Sequence, residues 1–171
     1  MGYSSDDSIF QCIVTMRTRV LGQIIGLGAV AGMRTMMAPA LLSSALKKRS
    51  SKRLRRSRLR FMQSSSTATI LKVLAAGELI GDKLPMTPSR TEPAGLLGRC
   101  LSGALVGATV ARTQRENYAL GASIGLLSAL ASTYTFYHIR KKLAEESPLP
   151  DTLWAGLEDT LAIRVGSKFT Y

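Results

Sequence analysis

Apolar and polar positions along this chain fall into long blocks rather than alternating pairs. From Val20 to Leu46 the sequence VLGQIIGLGAVAGMRTMMAPALLSSAL runs 27 residues with one charge, Arg34, near its middle and Pro39 about one turn beyond it. As a helix it would reach about 40 Å at 1.5 Å per residue, so the block predicts one helix that crosses a bilayer with tilt or a proline kink. Further apolar blocks predict helices over 67–81, 94–111, 117–137 and 151–165. The fourth is long enough to span, whereas the second and fifth are short and carry acids. No block shows strand alternation, and Ala, Leu, Gly and Ser dominate all of them. The expected fold is all-α: a polytopic helical membrane protein of four to five segments, some short or interrupted, forming a single domain over 20–165. Residues 1–19 form an N-terminal segment and 166–171 a tail. Asp6 and Asp7 precede any basic residue, so the N-terminal segment lacks the positive start of a cleaved signal peptide.

Glycines recur four apart within these blocks: Gly22 and Gly26, Gly28 and Gly32, Gly103 and Gly107, Gly121 and Gly125. That spacing lets helix backbones approach closely in lipid, where van der Waals packing replaces the hydrophobic drive. It leaves open whether the packing is within one chain or between copies in a homo-oligomer.

Composition adds one tension. Mean hydropathy is positive, +0.12, yet 23 Lys+Arg against 11 Asp+Glu give a net charge of +12 over 171 residues. Nine of those cations, and no acid, lie in the loop Lys47–Arg60, KKRSSKRLRRSRLR. Nucleic acid is a poor fit, because Phe61 is the sole nearby aromatic for stacking on bases. A cytoplasmic loop between membrane helices fits better: Lys and Arg accumulate on the untranslocated side and meet anionic lipid headgroups there. The expected location is the cytoplasmic membrane of a bacterium, multi-pass.

Two catalytic motifs fail on their context. Gly26–Ala31 matches GxGxxA, but the ribose-binding acid expected some twenty residues on is absent, the first being Glu78. Gly121-Ala-Ser123-Ile-Gly125 matches GxSxG, but no acid separates Ser123 from His138, the single histidine. Cys12 and Cys100 stand far apart, so neither a disulfide framework nor a metal site is expected, and no cofactor is implied.

The charges inside or bordering the apolar blocks are the informative set: Arg34, Glu78, Asp82, Lys83, Arg90, Arg99, Glu158 and Asp159. A charge at mid-bilayer costs about 2.5–3.5 kcal/mol on insertion scales, so such residues face the interior, pair, or line a wet cavity. Glu78 and Asp82 are four apart, which puts both carboxylates on one helical face if the helix continues. One role for the set is an ion-pair network that fixes helix register; the other is a site for a small ion, a proton or an anionic headgroup, built at interrupted helices. Ala76-Gly77-Glu78 and Ala155-Gly156-Leu157-Glu158 hint at a weak inverted repeat.

These residues resemble a family. Gly32-Met-Arg34-Thr35, the element Gly77-Glu78-x3-Asp82-Lys83-x-Pro85-x2-Pro88-x-Arg90-Thr91, Gly98-Arg99-x3-Gly103-Ala104-x2-Gly107-Ala108 and Glu158-Asp159-x2-Ala162 are similar to bacterial membrane proteins known as domain of unknown function 4126. The resemblance covers about residues 20–165 and implies a helical, membrane-embedded protein without supplying an activity. Pro85 and Pro88 would hold the connector extended. The functional expectation is transport or permeation of a small solute, ion or lipid headgroup through the charged cluster. The alternative is a noncatalytic scaffold or assembly subunit that presents its small-residue faces. A membrane enzyme ranks third, since no nucleophile or metal set accompanies the carboxylates.

Overall fold

The computed structural model describes residues 16–81, 93–146 and 151–170. Among them every regular element is helical: α1 (Thr18–Met33), α2 (Met37–Lys48), two 3-10 turns (Leu54–Arg56 and Arg58–Gln63), α3 (Ser65–Gly81), α4 (Pro93–Gln114), α5 (Tyr118–Glu146) and α6 (Asp151–Thr170). The all-α expectation holds. The first segment does not follow it, because residues 20–46 form two helices rather than one.

The break falls at Arg34–Met36 rather than at Pro39. Arg34 is extended (φ −140°, ψ 115°). Pro39 is the third residue of α2, in the first turn, where a missing N–H costs no intrahelical bond. The chain then doubles back. Gln23 of α1 and Leu46 and Lys48 of α2 line one cleft of about 330 Å³ together with Thr113 of α4 and Phe169 of α6; a collinear pair of helices would hold Gln23 and Lys48 about 37 Å apart. α1 and α2 therefore form a hairpin with its tip at Arg34–Met36. At 16 and 12 residues they measure about 24 and 18 Å, each shorter than a ~30 Å hydrocarbon layer.

The open end of the hairpin shares one face of the molecule with other helix ends. Phe169, near the end of α6, lies against Gly22 and Gly26 of α1. Arg53, just before the first 3-10 turn, and Arg56 within it share a cleft with Arg112, Arg115 and Glu116 at the α4–α5 turn. That turn is tight: Arg115 adopts φ 72°, the Glu116 N–H donates to the Ala111 carbonyl (3.0 Å), and Asn117 Oδ1 accepts from the Ala119 N–H (2.9 Å) at the start of α5. α3 and α5 run away from this face, and α4 and α6 run toward it.

α1, α4 and α5 pack as the centre. Val20, Ile24, Leu27 and Ala31 give α1 a 3.6-residue stripe whose members are at most 4% exposed. α4 and α5 meet glycine to glycine. A methyl group added at Gly107 or Gly121 would overlap the other's carbonyl oxygen, and Gly103 and Gly125 are related in the same way. Gly28 and Gly32 face Gly125, Ser128, Ala129 and Ser132 of α5 equally closely, whereas Gly22 and Gly26 face only the Phe169 ring. Ser123 lies within the continuous helix α5, its hydroxyl on the Ala119 carbonyl (3.1 Å).

Large apolar side chains are exposed on several of the helices. Ile70, Val73, Leu74 and Ile80 on α3, Leu97 and Leu101 on α4, Leu127 on α5, and Leu161 and Ile163 on α6 are 47–69% exposed. α4 (Pro93–Gln114) and the Tyr118–Ile139 part of α5 are long and apolar enough to cross a membrane.

The stretch expected as an open basic loop is folded. Lys47 and Lys48 end α2. Leu54 and Met62 are fully buried, Ser43 Oγ donates to the Met62 carbonyl (2.8 Å), and Gln63 bridges to Ser50 Oγ and to the Ser51 backbone. Of the helices compared for an inverted repeat, α3 and α6 do run in opposite directions, but the α1–α2 hairpin has a continuous helix, α5, as its counterpart.

Candidate functional site

A helix that stops inside a protein leaves carbonyls at one end and amides at the other to be satisfied. At the hairpin tip three other helices supply the partners. Thr133 Oγ1 of α5 donates to the Gly32 carbonyl (3.0 Å) and to the Ala129 carbonyl (2.8 Å), and Ser132 Oγ donates to the Ala29 carbonyl (2.8 Å). Ser102 Oγ of α4 donates to the Thr35 carbonyl. The amides of Thr35 and Met36, which head α2, donate to Glu78 Oε1 and Oε2 of α3, each at 2.8 Å. One carboxylate thus closes both consecutive N–H groups.

Charge follows the helix dipoles. Arg34 stands just past the C-terminus of α1, where a cation is favoured; Glu78 sits at the N-terminus of α2, where an anion is favoured. Arg34 is 2% exposed and its N–H donates to the Val30 carbonyl (2.8 Å). Arg99, 8% exposed, lies on α4 between Gly98 and Ser102, the two residues that meet Thr35. Both guanidinium residues are engaged by partners. Ser102 is nine residues from Pro93 and twelve from Gln114; Thr133 is fifteen from Tyr118 and thirteen from Glu146. The tip therefore lies midway along both long helices.

Of the charges singled out from the sequence, Arg34, Glu78 and Arg99 converge at this tip. α3 is described as far as Gly81, and Asp82, Lys83, Pro85, Pro88 and Arg90 lie outside the described residues. Glu158 and Asp159 belong to α6, their side chains outside the described residues. Sequence reasoning missed the Thr35 and Met36 amides and the hydroxyls of Ser102, Ser132 and Thr133. The available signal was small polar residues embedded beside the glycine and alanine faces of α4 and α5.

A family model described as a domain of unknown function, DUF4126, matches residues 21–166. The chain belongs to that family. DUF4126 membership agrees with the resemblance seen in the Arg34, Glu78–Thr91, Arg99 and Glu158 elements, and the matched range takes in the α1–α2 hairpin from Leu21 onward and all its capping residues. No curated protein and no solved structure matches the chain.

Proposed function

We propose that this protein is a multi-pass protein of the cytoplasmic membrane that passes a small solute through the polar site at the tip of a re-entrant hairpin, with a small anion the species the site suits best. The observation that carries this reading is the interruption at Arg34–Met36: a non-helical stretch enclosed by α3, α4 and α5, with Arg34 and Arg99 buried beside it and Glu78 on two backbone amides. Non-helical backbone within a membrane is tolerated where protein encloses it or where it lines a water-filled path, and discontinuous helices of this kind hold ions and substrates in transporters. The positive end of α2 favours an anion, and the Glu78 carboxylate occupies the position a permeating anion would take. The exposed Leu, Ile and Val side chains of α3, α4, α5 and α6 support a lipid environment, since so many large apolar side chains in water are unusual on a soluble monomer. Lys and Arg gathered at the open end of the hairpin orient that face to the cytoplasm.

A scaffold reading needs small-residue faces available to partners. Gly28, Gly32, Gly103, Gly107, Gly121 and Gly125 are packed against one another and their neighbours within the chain, which favours transport.

Reconstitution into liposomes tests the proposal. Chloride and nitrate efflux, followed with an anion-quenched dye, is expected from the wild type. It should change at least tenfold on Glu78→Gln, which offers one acceptor oxygen where the carboxylate offers two. Efflux no greater than from empty vesicles, for these anions and for protons, would remove the permeation reading.

A further inference from the structure

The basic face carries a second feature, independent of the hairpin tip. Under the 3-10 turns lies an open cleft of about 840 Å³, lined by Arg55, Arg58 and Arg60 together with the hydroxyl residues Ser57, Ser64 and Thr67. No acid lines it. The arginines are held on a defined frame: Leu54 and Met62 are anchored in the core, the Leu59 N–H donates to Ser57 Oγ (3.0 Å), and Gln63 ties the turns to Ser50 and Ser51. Three guanidinium groups and three hydroxyls around one cavity are a donor set for a phosphate, because Arg presents parallel N–H groups that match its oxygens.

What lies next to the cleft narrows the ligand. Thr67, on its wall, is in the first turn of α3, and the apolar side chains that follow stay uncovered: Ile70 58%, Val73 65%, Leu74 47% and Ile80 68% exposed. At 100° per residue these four fall within about 120° of one another around α3. Gly77 lies in the same arc and no described residue lies within 4 Å of where its Cβ would be, so the stripe holds a shallow trough. Phe61, also on the cleft wall, is 47% exposed, an apolar ring at the boundary of the two zones. A cationic cleft opening onto an apolar track is complementary to an amphiphile.

We infer that this cleft is a binding site for an anionic phospholipid, its phosphate held by Arg55, Arg58 and Arg60 and its acyl chains lying along Ile70, Val73, Leu74 and Ile80 of α3. The site rests on the membrane placement argued above and not on permeation. Bound there, the lipid joins the two 3-10 turns to α3, the helix whose Glu78 closes the hairpin tip.

Native mass spectrometry of the protein released from a neutral detergent tests it, with phosphatidylglycerol and phosphatidylcholine of identical acyl chains offered together. Phosphatidylglycerol should be retained at least tenfold over phosphatidylcholine. Arg55→Gln/Arg58→Gln/Arg60→Gln should abolish that preference, whereas Lys47→Gln/Lys48→Gln/Lys52→Gln, which removes the same charge from the same stretch, should leave it within twofold. Val73→Asn/Leu74→Asn should weaken retention severalfold, and millimolar glycerophosphate should not compete. Equal losses in the two charge triples would make the attraction diffuse and overturn the site; effective competition by glycerophosphate would make it a site for a soluble phosphate and overturn the lipid. Resistance to alkaline extraction from membranes separates the premises. Wild-type protein that stays in the membrane but shows no lipid preference loses the site alone, while protein that is extracted loses the membrane placement as well.

Discussion

The two ends of the α1–α2 hairpin treat charge in opposite ways. At the tip there are few charges, and two are matched to helix termini: buried Arg34 past the end of α1 and half-buried Glu78 at the head of α2. At the open end, nine cations of residues 47–60 gather with Arg112 and Arg115 against Glu116, most of them in water. Coulomb interactions at 4 Å are worth about 1 kcal/mol in water and several times that near low-dielectric protein, so the handful at the tip outweighs the crowd at the rim. The net charge of +12 describes the rim. Local folding and specific chemistry belong to the tip.

The largest effect that would break this contrast is at Arg34. Arg34→Ala leaves its partners unsatisfied in an apolar setting and should cost about 3 kcal/mol or more; unfolding in detergent within about 0.5 kcal/mol of wild type would mean the tip is as solvated as the rim. Next is Gly107→Ala, which drives a methyl into the Gly121 carbonyl and should cost about 2 kcal/mol by forcing apart α4 and α5, the helices that bring Ser102 and Thr133 to the tip. Its control, Gly77→Ala on the open side of α3, should be neutral or stabilising by up to about 1 kcal/mol. Glu78→Gln should cost about 1.5 kcal/mol, since its amide group offers one acceptor for two N–H donors, and faster hydrogen exchange should appear at Thr35 and Met36. The smallest effect is expected at the rim: Lys47→Gln/Lys52→Gln should change stability by no more than about 0.5 kcal/mol, and a larger loss would erase the distinction between the two ends.

Much of the helical framework could be read along the chain, because apolar blocks, glycine spacing and the absence of strand alternation are local signals. The reversal at Arg34–Met36 was not. Gly-free and Pro-free, Arg34-Thr35-Met36 contains no breaker, and the nearby Pro39 is a decoy that sits harmlessly in the first turn of α2. The break is held by a carboxylate 42 and 43 residues away and by hydroxyls 67 and 101 residues away, and such contacts leave no mark on local periodicity. At the site, burial arguments picked out Arg34, Glu78 and Arg99 because a charge in an apolar block is conspicuous. Thr35 and Met36 contribute only backbone amides, which every residue has. In the basic stretch the cations masked Leu54 and Met62, whose burial turns an expected loop into two anchored turns.

The separation of the tip from its caps sets an order of events during synthesis. Residues 18–48 leave the ribosome well before Ser102, Ser132 and Thr133 exist, and neither helix of the hairpin is long enough to be threaded across a bilayer by itself. On the membrane placement proposed above, the hairpin would wait at the membrane surface, with α1 as an interfacial helix, until α4 and α5 had been inserted and had closed on their glycines. Its docking against Ser102, Ser132 and Thr133 would then be a late step that follows insertion. Ribosome-bound chains truncated before Ser132 should therefore expose Arg34 to water-soluble reagents that the finished protein excludes.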